Sequence, residues 1–129
     1  MSELSAPDRS PRKGILLVDD EADVLNVVGH SIQQQTPHTV VCCRTARQAL
    51  IAASRQPFQL LILDYRLPDG NGLALYDQLQ TFAHLQDVPT IMISAYDPPF
   101  AELHRRHMVL LRKPFLLSRL LAGIQTALA

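Results

Sequence analysis

Short runs of consecutive apolar residues alternate along this chain with longer segments whose apolar residues recur at helical spacing. The short runs predict strands over residues 14–18, 38–43, 59–63, 90–93 and 108–111. Several are apolar at every position, as is typical of strands that are buried on both faces of a parallel sheet. The longer segments predict helices over residues 21–35, 45–55, 72–85, 98–106 and 117–128. Five strand–helix units in sequence predict an α/β fold with a doubly wound parallel sheet.

Proline and glycine positions support this division of the chain. Prolines stand at the joins between predicted elements, at Pro37, Pro57, Pro89 and Pro114. Residues 1–13 are rich in Ser, Pro and charge, which predicts a disordered N-terminal tail before a single domain over residues 14–129. Gly29 falls inside the first predicted helix, where it costs about 1 kcal/mol relative to Ala and indicates close packing.

Composition excludes several classes of protein. The 12 basic and 12 acidic residues give a net charge of zero, so no general attraction to nucleic acid or to anionic membranes is expected. No apolar run approaches the roughly 20 residues that a membrane-spanning helix needs. The adjacent Cys42 and Cys43 point to opposite faces of a predicted strand, which favours two buried free thiols and a cytoplasmic protein.

Polar residues follow four of the predicted strands at their carboxyl ends. They are Asp19 and Asp20, Asp64, Ser94 and Lys113. Taken singly, each has an ordinary explanation as a helix cap or a solvated charge. In a doubly wound sheet, however, these strand ends line one crevice. Carboxylates, a hydroxyl and an amine in one crevice are what a hard cation and a phosphoryl group require.

Four sequence motifs resemble those of one known family. They are LLVDDE (16–21), LDYRLPDGNG (63–72), SA (94–95) and KPF (113–115). With these motifs the chain resembles the receiver domain of bacterial two-component response regulators, over residues 14–128. The resemblance implies a flavodoxin-like fold, with the five parallel strands in the order 2-1-3-4-5 and helices on both faces.

The resemblance also implies the chemistry of the crevice. Asp64 would accept a phosphoryl group from a sensor histidine kinase or a phosphotransfer protein, and Ser94 and Lys113 would bind the resulting acyl phosphate. Asp20, Asp64 and the backbone carbonyl of Arg66 would ligate Mg²⁺, with Asp19 acting through a water. The Lys113–Pro114 peptide bond is expected to be cis, which proline makes feasible.

The same resemblance sets expectations for partners. The domain would act as a phosphoacceptor and not as an enzyme on other molecules, and would switch contacts with an unknown downstream protein. A homodimer is possible in this family, whereas direct nucleic-acid binding by the domain and membrane insertion are not expected. Whether the chain is a stand-alone receiver or a piece of a longer regulator or hybrid kinase stays open.

The sequence departs from the family pattern on one face. The interval from Ser94 to Lys113 is short, and HRRHM (104–108) replaces the usual small-residue turn. Its first four residues, HRRH (104–107), could form a phosphate-binding or partner patch, but a solvated helix end is favoured. Leu110 stands where the family has an aromatic residue that reports phosphorylation. Leu116 replaces a helix-capping residue, at a cost of about 1 kcal/mol.

Three other functions compete with a phosphorylation switch. A receiver fold that binds a partner without phosphoryl control is compatible with the altered face. An aspartate-nucleophile phosphohydrolase would carry a second acid two residues after Asp64, where Arg66 stands. A flavin-binding protein would want hydroxyls and glycine after the first strand, where the acidic residues 19–21 would repel a phosphate.

Overall fold

The computed structural model describes residues 12–129, and its main sheet has five parallel strands in the order β2-β1-β3-β6-β7. The strands are β1 Gly14–Val18, β2 Thr39–Cys43, β3 Leu60–Asp64, β4 Arg66–Leu67, β5 Gly70–Asn71, β6 Thr90–Ser94 and β7 Val109–Arg112. The two short strands β4 and β5 form a separate antiparallel hairpin. Without them the order becomes 2-1-3-4-5, so the predicted sheet is confirmed. The predicted tail falls mainly on residues 1–11, which lie outside the described residues.

Five α-helices flank the sheet, together with one 3₁₀ turn. They are α1 Ala22–Gln35, α2 Ala46–Arg55, α3 Gly72–Leu79, α4 Phe100–Arg105 and α5 Leu117–Leu128, and the 3₁₀ turn covers Ala83–Leu85. None of the helices in residues 12–129 has the length and apolar character needed to cross a bilayer.

Two helices are shorter than their apolar patterns predict. The helix predicted over 72–85 stops at Leu79, because side chains beyond it take backbone partners. The Thr81 hydroxyl donates to the Gln78 carbonyl at 2.6 Å and the Gln80 amide donates to the Leu85 carbonyl at 2.9 Å. The helix predicted over 98–106 begins only after Pro98-Pro99 and ends before His107, whose φ of 58° is left-handed.

The central strands are buried on both faces and divide the core in two. Ile15 and Leu17 of β1 pack on the side of α1 and α5, whereas Leu16 and Val18 pack on the side of α2 and α3. This alternation follows from the two-residue period of a strand. All five residues of β3 are buried. The covered central strands therefore fix the positions of whatever residues stand at their carboxyl ends.

Gly29 and Cys42 show how closely α1 packs on β2. A Cβ atom at Gly29 would lie 3.1 Å from Cys42 Sγ, so the close packing predicted at this glycine is confirmed. Both cysteines are free thiols, as predicted, but only Cys43 is buried. The prediction that Cys42 is buried was wrong, because β2 is an edge strand with one open side.

Helix α5 begins without a side-chain cap. Thr45 and Asn71 cap α2 and α3 by accepting hydrogen bonds from Gln48 N and Ala74 N, but Leu116 at the start of α5 offers no such acceptor. Leu116 is also 69% exposed. The predicted absence of a cap is therefore confirmed.

We expect Leu116→Ser to raise the free energy of unfolding by about 1 kcal/mol, because the hydroxyl accepts a hydrogen bond from the first turn of α5. Urea denaturation measures the change. Leu116→Ala is the control, since it removes the exposed apolar side chain without supplying an acceptor. Equal stability of the two variants would contradict a capping effect.

Candidate functional site

The polar residues predicted to share a crevice lie together at one edge of the sheet. Asp64 and Ser94 are the last residues of β3 and β6, one residue further along each strand than predicted, while Asp19 and Lys113 directly follow β1 and β7. The parallel register brings the strand ends level, because Asp64 pairs with Ile93 and Ser94 pairs with Arg112. Asp20, Asp64, Ser94 and Lys113 line an open pocket of about 760 Å³, whereas Asp19 is completely buried and reaches the site through its contact with Lys113.

Lys113 lies at the centre of this site. Its ammonium Nζ lies 2.7 Å from Glu21 Oε1, 2.9 Å from Asp19 Oδ2 and 3.1 Å from Asp64 Oδ2. Burial lowers the pKa of Lys113, but the contacts with these three carboxylates outweigh burial and raise the pKa above its usual value. Lys113 is therefore a fixed positive charge that holds the ends of β1, β3 and β7 together.

Asp19 is completely buried and only partly satisfied. Its Oδ1 accepts a hydrogen bond of 2.9 Å from the backbone N–H of Glu21. Its Oδ2 forms an ion pair with Lys113 Nζ at 2.9 Å and has no further hydrogen-bond partner within residues 12–129. Because Lys113 is shared among three carboxylates, this oxygen has room to bind a further cation.

Three carboxylates of the site fit a divalent cation. One oxygen each from Asp19, Asp20 and Asp64 lies within 4.8 Å of the others. Oxygen ligands at this spacing suit Mg²⁺, which retains several waters and uses few carboxylates. Arg66 lies beside them in β4, where its N–H faces Asp64 Oδ1 at 3.3 Å. Two roles stay predictions: ligation of the metal by the Arg66 carbonyl, and binding of the metal by Asp19 through a water.

Asp64 has an unusual acidity. Burial raises the pKa of this carboxyl, and the nearby charge of Asp19 raises it further, whereas Lys113 and the Arg66 N–H lower it. The result is a pKa of about 6. A carboxylate with this pKa is mostly ionised at neutral pH and binds a proton or another positive group more readily than an ordinary aspartate.

Ser94 is buried at the site, but its hydroxyl is engaged within its own loop. The hydroxyl donates to the Tyr96 carbonyl and accepts from the Tyr96 N–H, the latter at 3.2 Å. The Tyr96 ring in turn stacks on Arg66, with 4.6 Å from Cζ to the ring centroid. Arg66 and Tyr96 therefore lie together beside Asp64 and Ser94, while binding of a phosphoryl group by Ser94 stays a prediction.

Two residues of the site were missed by sequence reasoning. Glu21 was not among the predicted site residues, and its contact with Lys113 spans 92 positions of the chain, which no local pattern indicates. Asp69 accepts hydrogen bonds from Ala46 N at 2.8 Å and Arg47 N at 3.0 Å, and so fixes the β4–β5 hairpin to the start of α2. These hydrogen bonds lower the pKa of Asp69. Its position in the turn LPDG was the one available signal.

The Lys113–Pro114 peptide bond is cis, which confirms the expectation drawn from the KPF motif. Leu110 is half-buried and packs against the core on the α2 and α3 side.

Comparisons with known proteins agree with this geometry. The family model described as the response regulator receiver domain matches residues 15–125. The response regulator protein PilR of Pseudomonas aeruginosa is 35% identical over 120 residues, which cover 91% of this chain and 26% of PilR. The signal transduction histidine-protein kinase BarA of Escherichia coli K12 is 28% identical over 82 residues, which cover 64% of this chain and 9% of BarA. The chain thus spans well under two thirds of either relative.

A solved structure supports the same fold. The response regulator receiver domain protein (CheY-like) from Methanospirillum hungatei JF-1 superimposes with a TM-score of 0.82 and 24% identity. The match covers 92% of this chain and 94% of that protein.

We expect Asp64→Asn to stabilise the metal-free protein near neutral pH. The pKa of Asp64 is raised on folding, so its ionisation leaves the folded state less stable as pH rises from about 4 through about 6. The variant should therefore match the wild type near pH 4 and exceed it by about 2 kcal/mol near pH 7.5. Lys113 still has Glu21 and Asp19 as partners in this variant.

Urea denaturation with EDTA at the two pH values measures this effect. Asp77→Asn is the control with the opposite sign, because its hydrogen bond with Arg106 lowers the pKa of Asp77. That variant should lose stability relative to the wild type as pH rises. A difference between Asp64→Asn and the wild type that does not change with pH would contradict the raised pKa.

Proposed function

The chain belongs to the response regulator receiver domain family, and on this basis we propose that it accepts a phosphoryl group on Asp64 in a Mg²⁺-dependent reaction. The donor would be a sensor histidine kinase or a phosphotransfer protein. The observation that carries the proposal is the position of Asp64, a buried carboxylate between Lys113 and the acidic pair Asp19 and Asp20. The protein would be a phosphoacceptor, catalysing only its own phosphorylation and dephosphorylation.

The proposed transfer is an in-line displacement. An oxygen of Asp64 bonds to phosphorus while the bond from phosphorus to the donor's imidazole nitrogen breaks, and the electron pair of that bond stays with the imidazole. Charge develops on the transferring oxygens, so the site must supply positive groups that are already in place. Lys113 supplies one, through an N–H donated to a phosphoryl oxygen.

Mg²⁺ would supply the second positive charge when it is bound. Asp19, Asp20 and Asp64 would hold it, and the sharing of one ammonium among three carboxylates supports a further cation at this place. Burial is the main cause of the raised pKa of Asp64, and the nearby negative charge of Asp19 adds to it. The three carboxylates thus explain why an apolar strand runs directly into acidic residues.

The pocket also offers a side for the approach of a protein donor. Val24 and Val27 of α1 line the pocket, and Val27 is 58% exposed. An apolar surface beside a charged centre suits a partner that must align a phosphohistidine with Asp64. The same proposal includes contacts with a downstream protein, formation of a homodimer and a cytoplasmic location. It does not include direct contact of this domain with nucleic acid.

We expect incubation with acetyl phosphate and Mg²⁺ to add one phosphoryl group to the protein, seen as a single gain in intact mass. Asp64→Ala should show no gain, because Asp19, the other carboxylate that follows a strand and contacts Lys113, is completely buried and does not line the pocket. Asp97→Ala is the control, since this exposed aspartate pairs with Arg112 and does not line the pocket. A phosphoryl gain in Asp64→Ala would contradict the assignment.

The face beyond Ser94 differs from the usual one, which favours an atypical output. HRRHM was predicted to be a solvated helix end, but Arg106 is half-buried and makes a paired contact with Asp77 of α3, at 2.9 Å to each carboxylate oxygen. Arg106 also contacts Glu102, so α4 is attached to α3 through charge. The prediction of a solvated end was therefore wrong for Arg106.

On this altered face, a signal from a phosphorylated Asp64 would pass through the loop after Ser94. Leu110 is smaller than an aromatic ring and has no polar tip, so its rotation changes few contacts. A ligand shifts an equilibrium only through contacts that differ between two states. The contacts that can differ are those of the Ser94 hydroxyl, which must leave the Tyr96 backbone if it is to reach a phosphoryl oxygen.

We expect a beryllofluoride mimic to shift the backbone amide signals of residues 94–107 strongly and those of β7 weakly. Two-dimensional amide spectra with and without the mimic measure this. Asp64→Asn is the control and should show neither change. Large shifts centred on 108–112 with a quiet 94–107 segment would show that Leu110 carries the signal instead.

A further inference from the structure

The three carboxylates around Lys113 differ in how easily each can leave it. The Asp19 side chain is fully buried and that of Asp64 is 7% exposed, whereas that of Glu21 is 58% exposed. Glu21 nevertheless makes the shortest contact, at 2.7 Å. The partner held at the shortest distance is therefore also the one that water can replace at the lowest cost.

Within residues 12–129, Lys113 is the only hydrogen-bond or ion-pair partner of the Glu21 carboxylate. Glu21 occupies the N-cap position of α1, where a side-chain oxygen commonly accepts a hydrogen bond from the first turn. Its side chain makes no such cap hydrogen bond. The carboxylate reaches across the site to Lys113 instead.

A phosphoryl group on Asp64 needs an N–H of Lys113. The ammonium has three N–H groups, and in this structure it hydrogen-bonds to Glu21 and Asp64 while lying against Asp19. Release of Asp19 would leave a buried carboxylate without its cation, which is costly. Release of Glu21 only returns an exposed carboxylate to water.

We propose that Glu21 holds Lys113 in the unphosphorylated protein and exchanges it for the incoming phosphoryl group. Glu21 is then a positioning residue that slows phosphorylation by competing for the lysine. This inference rests on the proposed function of Asp64 as the phosphoacceptor. It assigns to the third residue of Asp19-Asp20-Glu21 a task separate from metal binding.

The kinetic test compares variants that separate the contact between Glu21 and Lys113 from the negative charge that Glu21 adds to the pocket. Glu21→Gln should be phosphorylated by acetyl phosphate about twofold to fivefold faster than the wild type at saturating Mg²⁺, which is the range expected for one exposed ion pair. Asp23→Asn removes the same charge from the same pocket and does not contact Lys113. The phosphorylation rate of this control should rise clearly less than that of Glu21→Gln.

Glu21→Asp keeps the charge but is one methylene shorter, so it cannot span the present distance to Lys113 and is placed to cap α1 instead. Its phosphorylation should be faster than that of the wild type, by a factor similar to that of Glu21→Gln. A second readout needs neither metal nor donor, since hydrogen exchange at the Lys113 ammonium, followed by NMR, should be faster in both Glu21 variants than in the wild type.

Rates for the Glu21 variants that equal those of the wild type or of Asp23→Asn would overturn the inference, as would unchanged exchange at the ammonium. Both outcomes leave the proposed function intact, because the wild type is still phosphorylated. A wild type that gains no phosphoryl group at all would overturn the proposed function, and this inference with it.

Discussion

The site depends on one half-buried ammonium that lies between three carboxylates. Without Lys113, the charges of Asp19 and Asp64 would repel each other at neighbouring strand ends where both carboxylates are buried. With it, the cluster still has more negative than positive charge, and the charge of Asp19 adds to the effect of burial in raising the pKa of Asp64. The protein thus folds with a site that is stable enough to form and still favours a further cation.

The fold provides the rigidity that such a site needs. β1 and β3 are central strands covered on both faces, so the residues at their ends cannot move apart without exposing core side chains. Asp69 fixes the following hairpin to α2 in the same way, through two backbone hydrogen bonds. The segment after Ser94 is less constrained, because α4 has only six residues and begins after two prolines. The rigid part of the site therefore carries the charged residues at the ends of β1 and β3. The adaptable part is the loop after Ser94.

Much of this could be predicted from the sequence, because apolar runs and strand ends are local features. Asp19, Asp20, Asp64, Ser94 and Lys113 were predicted to share a crevice; all but the buried Asp19 line one pocket, and Asp19 contacts Lys113. The contact between Glu21 and Lys113 could not be predicted, since it depends on the distance between two loops that are far apart in sequence. The early end of α3 and the exposure of Cys42 were missed because side-chain hydrogen bonds and an open sheet edge override apolar spacing.

We infer that Asp19, Asp20 and Asp64 form a divalent cation site that Lys113 only partly neutralises. Calorimetric titration of Mg²⁺ into the wild type and into Asp20→Asn tests this site most directly, because Asp20 is exposed and its replacement leaves the core intact. We expect one binding event for the wild type and an affinity at least about tenfold lower for the variant. Equal Mg²⁺ affinity in the two proteins would contradict a cation site formed by these carboxylates.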